Sequence, residues 1–189
     1  MLTASHNPPE YNGIKLIGAD GIELSIDRLE RIEAHALGEE FDLVPWELVG
    51  ESREVDTANA TYQQSLLDAI DTERIADADL TVALDPGHGA GGVVSPEFYR
   101  ELGCEVVTVN AQLDGRFPGR MPEPVPENLD DLGRLVEAAD ADVGIAHDGD
   151  ADRSVFFDEQ GRFIDGDASL AALAARELSA GDHTVAAVN

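Results

Sequence analysis

Hydrophobic positions change their rhythm near residue 80. From there short apolar runs alternate with amphipathic stretches. Leu80-Thr81-Val82-Ala83-Leu84 reads as a buried strand, ended by Asp85-Pro86-Gly87-His88-Gly89-Ala90-Gly91-Gly92. Val93 to Leu102 has helical spacing, Glu105 to Val109 is a second strand, Asn128 to Asp140 a second helix, and Ala141 to Ala146 a third strand. Strand–helix–strand–helix–strand with short connections predicts a parallel sheet covered by helices, with right-handed crossovers. Ser154 to Asp158 and Gly161 to Ile164 predict a strand, a turn at Asp158–Gly161 and a return strand. A helix follows over Asp167–Leu178, with Asp167 as its expected cap, and Thr184 to Val188 reads as one more strand.

The first part of the chain is less regular. Leu29, Ile32 and Leu37 mark an amphipathic helix over Asp27–Leu37. Phe41 to Asp56 is mixed; Pro45 interrupts it, and a short strand is expected around Trp46–Val49. Tyr62, Leu66, Leu67 and Ile70 mark another helix, placed as a bridge between domains. Met1-Leu2 leads straight into a polar loop with no strand before it, and both ends cut into regular structure. With no repeat or low-complexity tract, the chain is expected to be a fragment of something longer.

Composition narrows the class. The 189 residues are 43% hydrophobic, enough for a folded chain with a core. Asp and Glu number 39 against 12 Lys and Arg, for a formal charge of −27. Such a surface repels nucleic-acid phosphates and anionic lipids, which excludes both as partners. The acid is spread along the chain, so it is not a disordered tail. Abundant Asp and Glu with a single lysine suit a halophilic, haloarchaeal protein kept soluble at high salt. The lone Cys104 excludes an intrachain disulfide, and neither a membrane-length apolar run nor a signal segment is seen, so a cytoplasmic location is expected.

Two loops carry the chemistry. The first runs Thr3-Ala4-Ser5-His6-Asn7-Pro8-Pro9-Glu10-Tyr11-Asn12-Gly13-Ile14-Lys15, and combines a hydroxyl nucleophile, an imidazole and the only lysine. The second, Asp148-Gly149-Asp150-Ala151-Asp152-Arg153, follows the third predicted strand. Carboxylates at alternate positions can converge on one hard cation, Mg²⁺, Mn²⁺ or Ca²⁺, at the carboxyl end of a parallel strand. An EF-hand would need glycine where Arg153 stands, although Glu159 falls at the twelfth place. A solvated acidic turn is the plainer alternative. The glycines of residues 87–92 lack the Gly-Lys-Ser/Thr ending of a P-loop and read as a tight strand-to-helix connection. His147 adjoins the acidic loop as a possible orienting group, and His88 reads as structural. Combined, the two loops hold what phosphoryl transfer requires: a nucleophile in Ser5, a divalent-cation site in Asp148, Asp150 and Asp152, and cationic groups in Lys15 and Arg153.

Those loops, with Phe117-Pro118-Gly119-Arg120-Met121-Pro122-Glu123-Pro124 and Asp158-Glu159-Gln160-Gly161 in support, resemble the α-D-phosphohexomutases. That family includes phosphoglucomutase/phosphomannomutase and phosphoglucosamine mutase. The resemblance implies an α/β fold of phosphohexomutase-type three-layer α/β/α domains with mixed-to-parallel sheets. It implies that residues 1–57 are the C-terminal part of a first domain, 58–157 a complete second domain ending in the metal loop, and 158–189 the start of a third. It implies that Ser5 carries the phosphoryl group and that Asp148, Asp150 and Asp152 bind Mg²⁺ together with that phosphoserine. Lys15 falls at the proposed general acid/base, and His6 and Arg153 fall beside the phosphoserine. The implied substrate is a hexose phosphate, and a glucose-1,6-bisphosphate-type compound serves as intermediate and activator. The 117–124 stretch and Ala146-His147-Asp148 resemble archaeal members, so phosphoglucosamine mutase stands close behind phosphoglucomutase/phosphomannomutase. A truncated, non-catalytic remnant that binds metal or phosphosugar is the rival, and little or no mutase turnover is expected of the chain alone. Oligomeric state is not legible.

Overall fold

Val82, Ala83 and Leu84 are buried on both faces of their strand, which is the signature of a central parallel strand. The computed structural model describes residues 1–38, 41–179 and 181–183. It divides the chain into two compact units: Met1–Ala4 with Pro9–Ile70, and Ser5–Pro8 with Asp71–Asn189.

The second unit is built on a mixed five-stranded sheet of order β2-β1-β3-β4-β5. Its strands are β1 (Thr81–Asp85), β2 (Glu105–Thr108), β3 (Val143–His147), β4 (Ser154–Phe157) and β5 (Phe163–Ile164). The first three are parallel, with Ala83 opposite both Val107 and Gly144. β4 returns antiparallel to β3, placing Ser154 opposite His147, and β5 pairs antiparallel with β4. The predicted turn at Asp158–Gly161 joins these last two strands, and Asp158 takes the Arg162 side chain as an ion-pair partner at 2.7 Å.

β1 leads through α4 (Gly91–Glu101) to β2 on one side, and β2 leads through α5 (Asp130–Ala139) back across β1 to β3. The connections run in opposite directions, so right-handed crossovers put α4 and α5 on opposite faces. That is the expected three-layer α/β arrangement. Leu129, Leu132 and Val136 recur at helical spacing and are fully buried with Ala83, Ala141, Ala146 and Phe157 in one core. Cys104 is buried as a small apolar residue.

The sequence-based expectations shift in places. The helix inferred from Tyr62, Leu66, Leu67 and Ile70 is α2 (Ala58–Leu67), which ends short of Ile70; a separate short helix, α3 (Thr72–Ala76), follows Asp71, whose carboxylate accepts from Arg74 N–H at 3.1 Å. Trp46–Leu48 is a 3₁₀ turn rather than a strand, closed by Leu48 N–H donating to the Pro45 carbonyl at 2.9 Å. The last helix, α6 (Gly166–Glu177), is capped by Asp165, not Asp167: Ala168 N–H donates to Asp165 Oδ1 at 2.8 Å. Asp167 stands in the first turn instead, where it complements the helix dipole. The strand expected over residues 184–188 lies outside the described residues.

In the first unit, α1 (Ile26–Leu37) matches the predicted amphipathic helix. The segments around it form only isolated bridges, Leu2 to Ile14 and Ile17 to Glu23. None of its described residues is buried, and Ile14, Ile22 and Ile26 are each about two-thirds exposed or more, at 69%, 67% and 72%.

Candidate active site

The loops that leave the carboxyl ends of β1 and β3 meet at the point where the strand order reverses, the position at which open α/β sheets gather ligands. Ala90 N–H donates to the Gly149 carbonyl at 3.0 Å, tying the glycine-rich turn after β1 to the aspartate loop after β3. Segment Ser5–Pro8 belongs to this unit as well.

Two glycines let three backbones stack. A Cβ on Gly89 would lie 2.4 Å from the Gly149 carbonyl oxygen, and a Cβ on Gly149 would lie 2.4 Å from the Ser5 carbonyl oxygen. Any side chain at either position would push the layers apart. The glycine run therefore works as a close-packing connection, as its sequence suggested, and the three loops converge where it allows. Backbone strain gathers here too: Ser5, His88 and Ala151 have φ of 52°, 60° and 59°, a left-handed conformation unfavourable for residues with a Cβ.

Asp148 is the buried centre of the site, with no solvent exposure. Its Oδ1 accepts the Arg153 N–H at 3.1 Å, and its Oδ2 accepts the Ser5 hydroxyl at 3.3 Å. Ser5 Oγ also lies 3.1 Å from His6 Nδ1. Burial pushes the Asp148 carboxyl above the usual carboxylate range, and the nearby Asp150 and Asp152 charges push the same way; the Arg153 N–H and Ser5 hydroxyl oppose them. Asp148, Asp150 and Asp152 bring carboxylate oxygens within 4.8 Å of one another. The Arg153 side chain reaches Asp152 Oδ1 only at 3.9 Å and is exposed, so that contact contributes little.

This donor set fits a hard divalent cation. It is all oxygen, it is gathered by one loop, and it crowds like charges around the buried Asp148, a repulsion that a cation would relieve. β-strands flank the loop on both sides, which removes the EF-hand alternative.

Of the predicted site residues, Ser5, His6, Asp148, Asp150, Asp152 and Arg153 belong to this one unit. Lys15 belongs to the other, on a segment paired with the chain start: its N–H donates to the Met1 carbonyl at 2.9 Å, and its carbonyl accepts from the Met1 amine at 3.0 Å. His147, flagged for its adjacency, lies 3.1 Å through Nε2 from Ser95 Oγ and 3.4 Å through Nδ1 from the Arg153 carbonyl. Burial holds its imidazole below the usual value.

Sequence reasoning read His88 as structural but missed the partners that form the support beneath the loops. Asp85, at the end of β1, forms a buried ion pair with Arg120 at 2.9 Å, and also accepts from Gly87 N–H and the Asn110 amide. His88 accepts the Gly119 N–H on Nε2, so its Nδ1 carries the proton donated to the Gln112 carbonyl. Apart from the local Asp85–Gly87 contact, these partners lie 24 to 35 residues apart in sequence, and no local spacing announces them.

Comparison with known proteins adds an independent finding. The family model described as phosphoglucomutase/phosphomannomutase, alpha/beta/alpha domain II, matches residues 60–161, and the corresponding domain I model matches residues 1–43. A phosphoglucomutase/phosphomannomutase of Thermococcus kodakarensis is 46% identical over 92% of this chain and 38% of its own length. A probable phosphoglucosamine mutase of Methanosarcina barkeri is 45% identical over 98% of this chain and 42% of its own length. The crystal structure of a putative phosphomannomutase from Thermus thermophilus superposes with a TM-score of 0.77 at 30% identity, over 93% of this chain and 39% of that one. The chain thus spans about two-fifths of the length of the curated relatives it matches.

Proposed function

The chain belongs to the α-D-phosphohexomutase family, and from that premise we propose that it carries the phosphoserine and metal loops of a Mg²⁺-dependent isomerase that moves phosphate between C1 and C6 of a hexose phosphate. The observation that supports this reading best is the Ser5 hydroxyl against the buried Asp148 carboxylate, within a set of carboxylates suited to one cation.

In the proposed cycle the phosphoryl group on Ser5 Oγ passes to the free hydroxyl of a hexose monophosphate. The Ser5 O–P bond breaks and a sugar O–P bond forms; the sugar hydroxyl gives its proton to a base, for which Lys15 is the proposed group, and the leaving Ser5 oxygen takes up a proton to restore its hydroxyl. The sugar bisphosphate reorients and returns its other phosphate to Ser5. A glucose-1,6-bisphosphate-type activator would load the serine initially. His6 Nδ1, close to Ser5 Oγ, can hold a hydrogen bond to the ester oxygen, and Arg153 offers a cation at the rim of the same loop.

Esterifying Ser5 removes the proton it donates to Asp148 and sets a phosphate of about −2 charge against the carboxylates. That arrangement demands a cation, which Asp148, Asp150 and Asp152 would hold with the phosphoserine. When bound, Mg²⁺ would supply charge neutralisation and polarise the phosphoryl oxygens.

Both names occur among relatives of nearly equal identity, in the Thermococcus and Methanosarcina proteins, so we keep glucose or mannose phosphates as the leading substrates and glucosamine phosphate as the alternative. The test is intact-mass spectrometry after incubation with glucose 1,6-bisphosphate and Mg²⁺. The expected result is one added phosphoryl group, absent from Ser5→Ala. Equal modification of the wild type and Ser5→Ala would exclude Ser5 as the carrier.

A further inference from the structure

We propose that Arg120 is a positioning residue for the aspartate loop, holding the His147 carbonyl and through it the orientation of Asp148. The inference rests on reading Asp148, Asp150 and Asp152 as a metal site.

The Arg120 side chain is 3% exposed, and its planar fork makes five polar contacts. Nε donates to Asp85 Oδ2 at 2.9 Å. Nη2 donates to the His147 carbonyl at 2.6 Å and the Asp85 carbonyl at 3.2 Å. Nη1 donates to the Met121 and Pro122 carbonyls at 2.9 and 3.3 Å. Asp85 ends β1 and His147 ends β3, and the two strands are register neighbours, with Asp85 opposite Ala146. One guanidinium therefore ties together the strand ends from which both site loops emerge.

A buried ion pair is costly to desolvate and is weak evidence for stability alone. Its placement is what carries the argument. The His147 carbonyl belongs to the peptide that leads into Asp148, so moving it tilts that peptide plane and swings the carboxylate away from Ser5 and from the Arg153 N–H. The 87–92 turn packs over the same fork: a Cβ on Gly87 would lie 2.5 Å from Arg120 Nη2. Lysine could keep a point-charge pair with Asp85, but it lacks the planar fork that reaches both strand ends at once.

The test uses the 189-residue chain and Mn²⁺ as the probe, with free Mn²⁺ followed by electron paramagnetic resonance and folding by circular dichroism. Arg120→Lys is expected to keep its secondary structure and bind Mn²⁺ at least about tenfold more weakly, the range seen when partners behind a metal ligand are removed. Leu132→Val, which loosens the core beneath the sheet, is expected to leave Mn²⁺ affinity unchanged. Undiminished binding by a folded Arg120→Lys overturns the assignment while leaving the metal site standing. Equal weakening in Leu132→Val, or loss of fold in both Arg120→Lys and Arg120→Gln, overturns it in favour of a purely structural clamp. A wild-type chain that binds no Mn²⁺ overturns both the assignment and the reading beneath it.

Discussion

A methyl group on Gly149 would lie 2.4 Å from the Ser5 carbonyl oxygen, so the identity of that one residue sets how closely the serine loop can approach Asp148. Gly149→Ala is expected to displace the Ser5 loop and abolish phosphoryl loading by glucose 1,6-bisphosphate, read by intact mass, while the circular dichroism spectrum is retained. Loading at the wild-type level would show that the loops need not stack. Asp148 carries a pH prediction. Its folded-state pKa is raised above the ordinary carboxylate value, so between those values the folded metal-free chain binds more protons than the unfolded one. Stability without metal is therefore expected to fall as pH rises through that window, and saturating Mg²⁺ should reverse the trend, because the cation favours the ionised carboxylate. Urea midpoints at several pH values, with and without Mg²⁺, check both signs. At this scale the candidate residues were legible because Ser5, Asp148, Asp150 and Asp152 occupy two contiguous motifs. Arg120 was visible only as part of a family-like stretch, since its role depends on Asp85 and on main-chain carbonyls that no spacing rule connects.

Elements were legible where burial fixes them. β1, β2, β3, α4 and α5 follow the alternation of apolar runs and helical spacing within a residue or two, because packing on both faces of the sheet leaves each pattern one solution. The failures fall where packing decides nothing: Trp46 is 81% exposed and Leu48 68%, so proline-directed turn geometry set their conformation rather than a neighbouring strand. The antiparallel pairing of β4 beside β3 was also not readable, since a hairpin-like return and a crossover differ only in a connection that the metal loop fills. The core argument predicts that Leu132→Ala costs about 2–5 kcal/mol in urea unfolding, as expected for deleting a fully buried leucine side chain between helix and sheet. A cost below the error of the measurement would mean that α5 does not close the core.

The whole molecule divides energetically as well as spatially. The second unit owns the buried core, whereas no described residue of the first is buried. Hydrogen exchange should therefore be slowest in β1 and β3 and fast through residues 9–38. The formal charge of −27 opposes compaction at low ionic strength, so unfolding midpoints are expected to rise between dilute buffer and molar KCl. Unchanged midpoints would contradict the halophilic reading of the composition. No helix among the described residues is long and apolar enough to cross a membrane. The central claim is that Ser5 and the aspartate loop form one phosphoryl-transfer site. The most direct test is ³¹P NMR of the Ser5-phosphorylated chain titrated with Mn²⁺. Substoichiometric Mn²⁺ should broaden the phosphoserine resonance beyond detection, and Asp148→Asn should keep it sharp. A resonance that stays sharp while the wild-type chain holds Mn²⁺ would separate the metal from the serine and contradict the account.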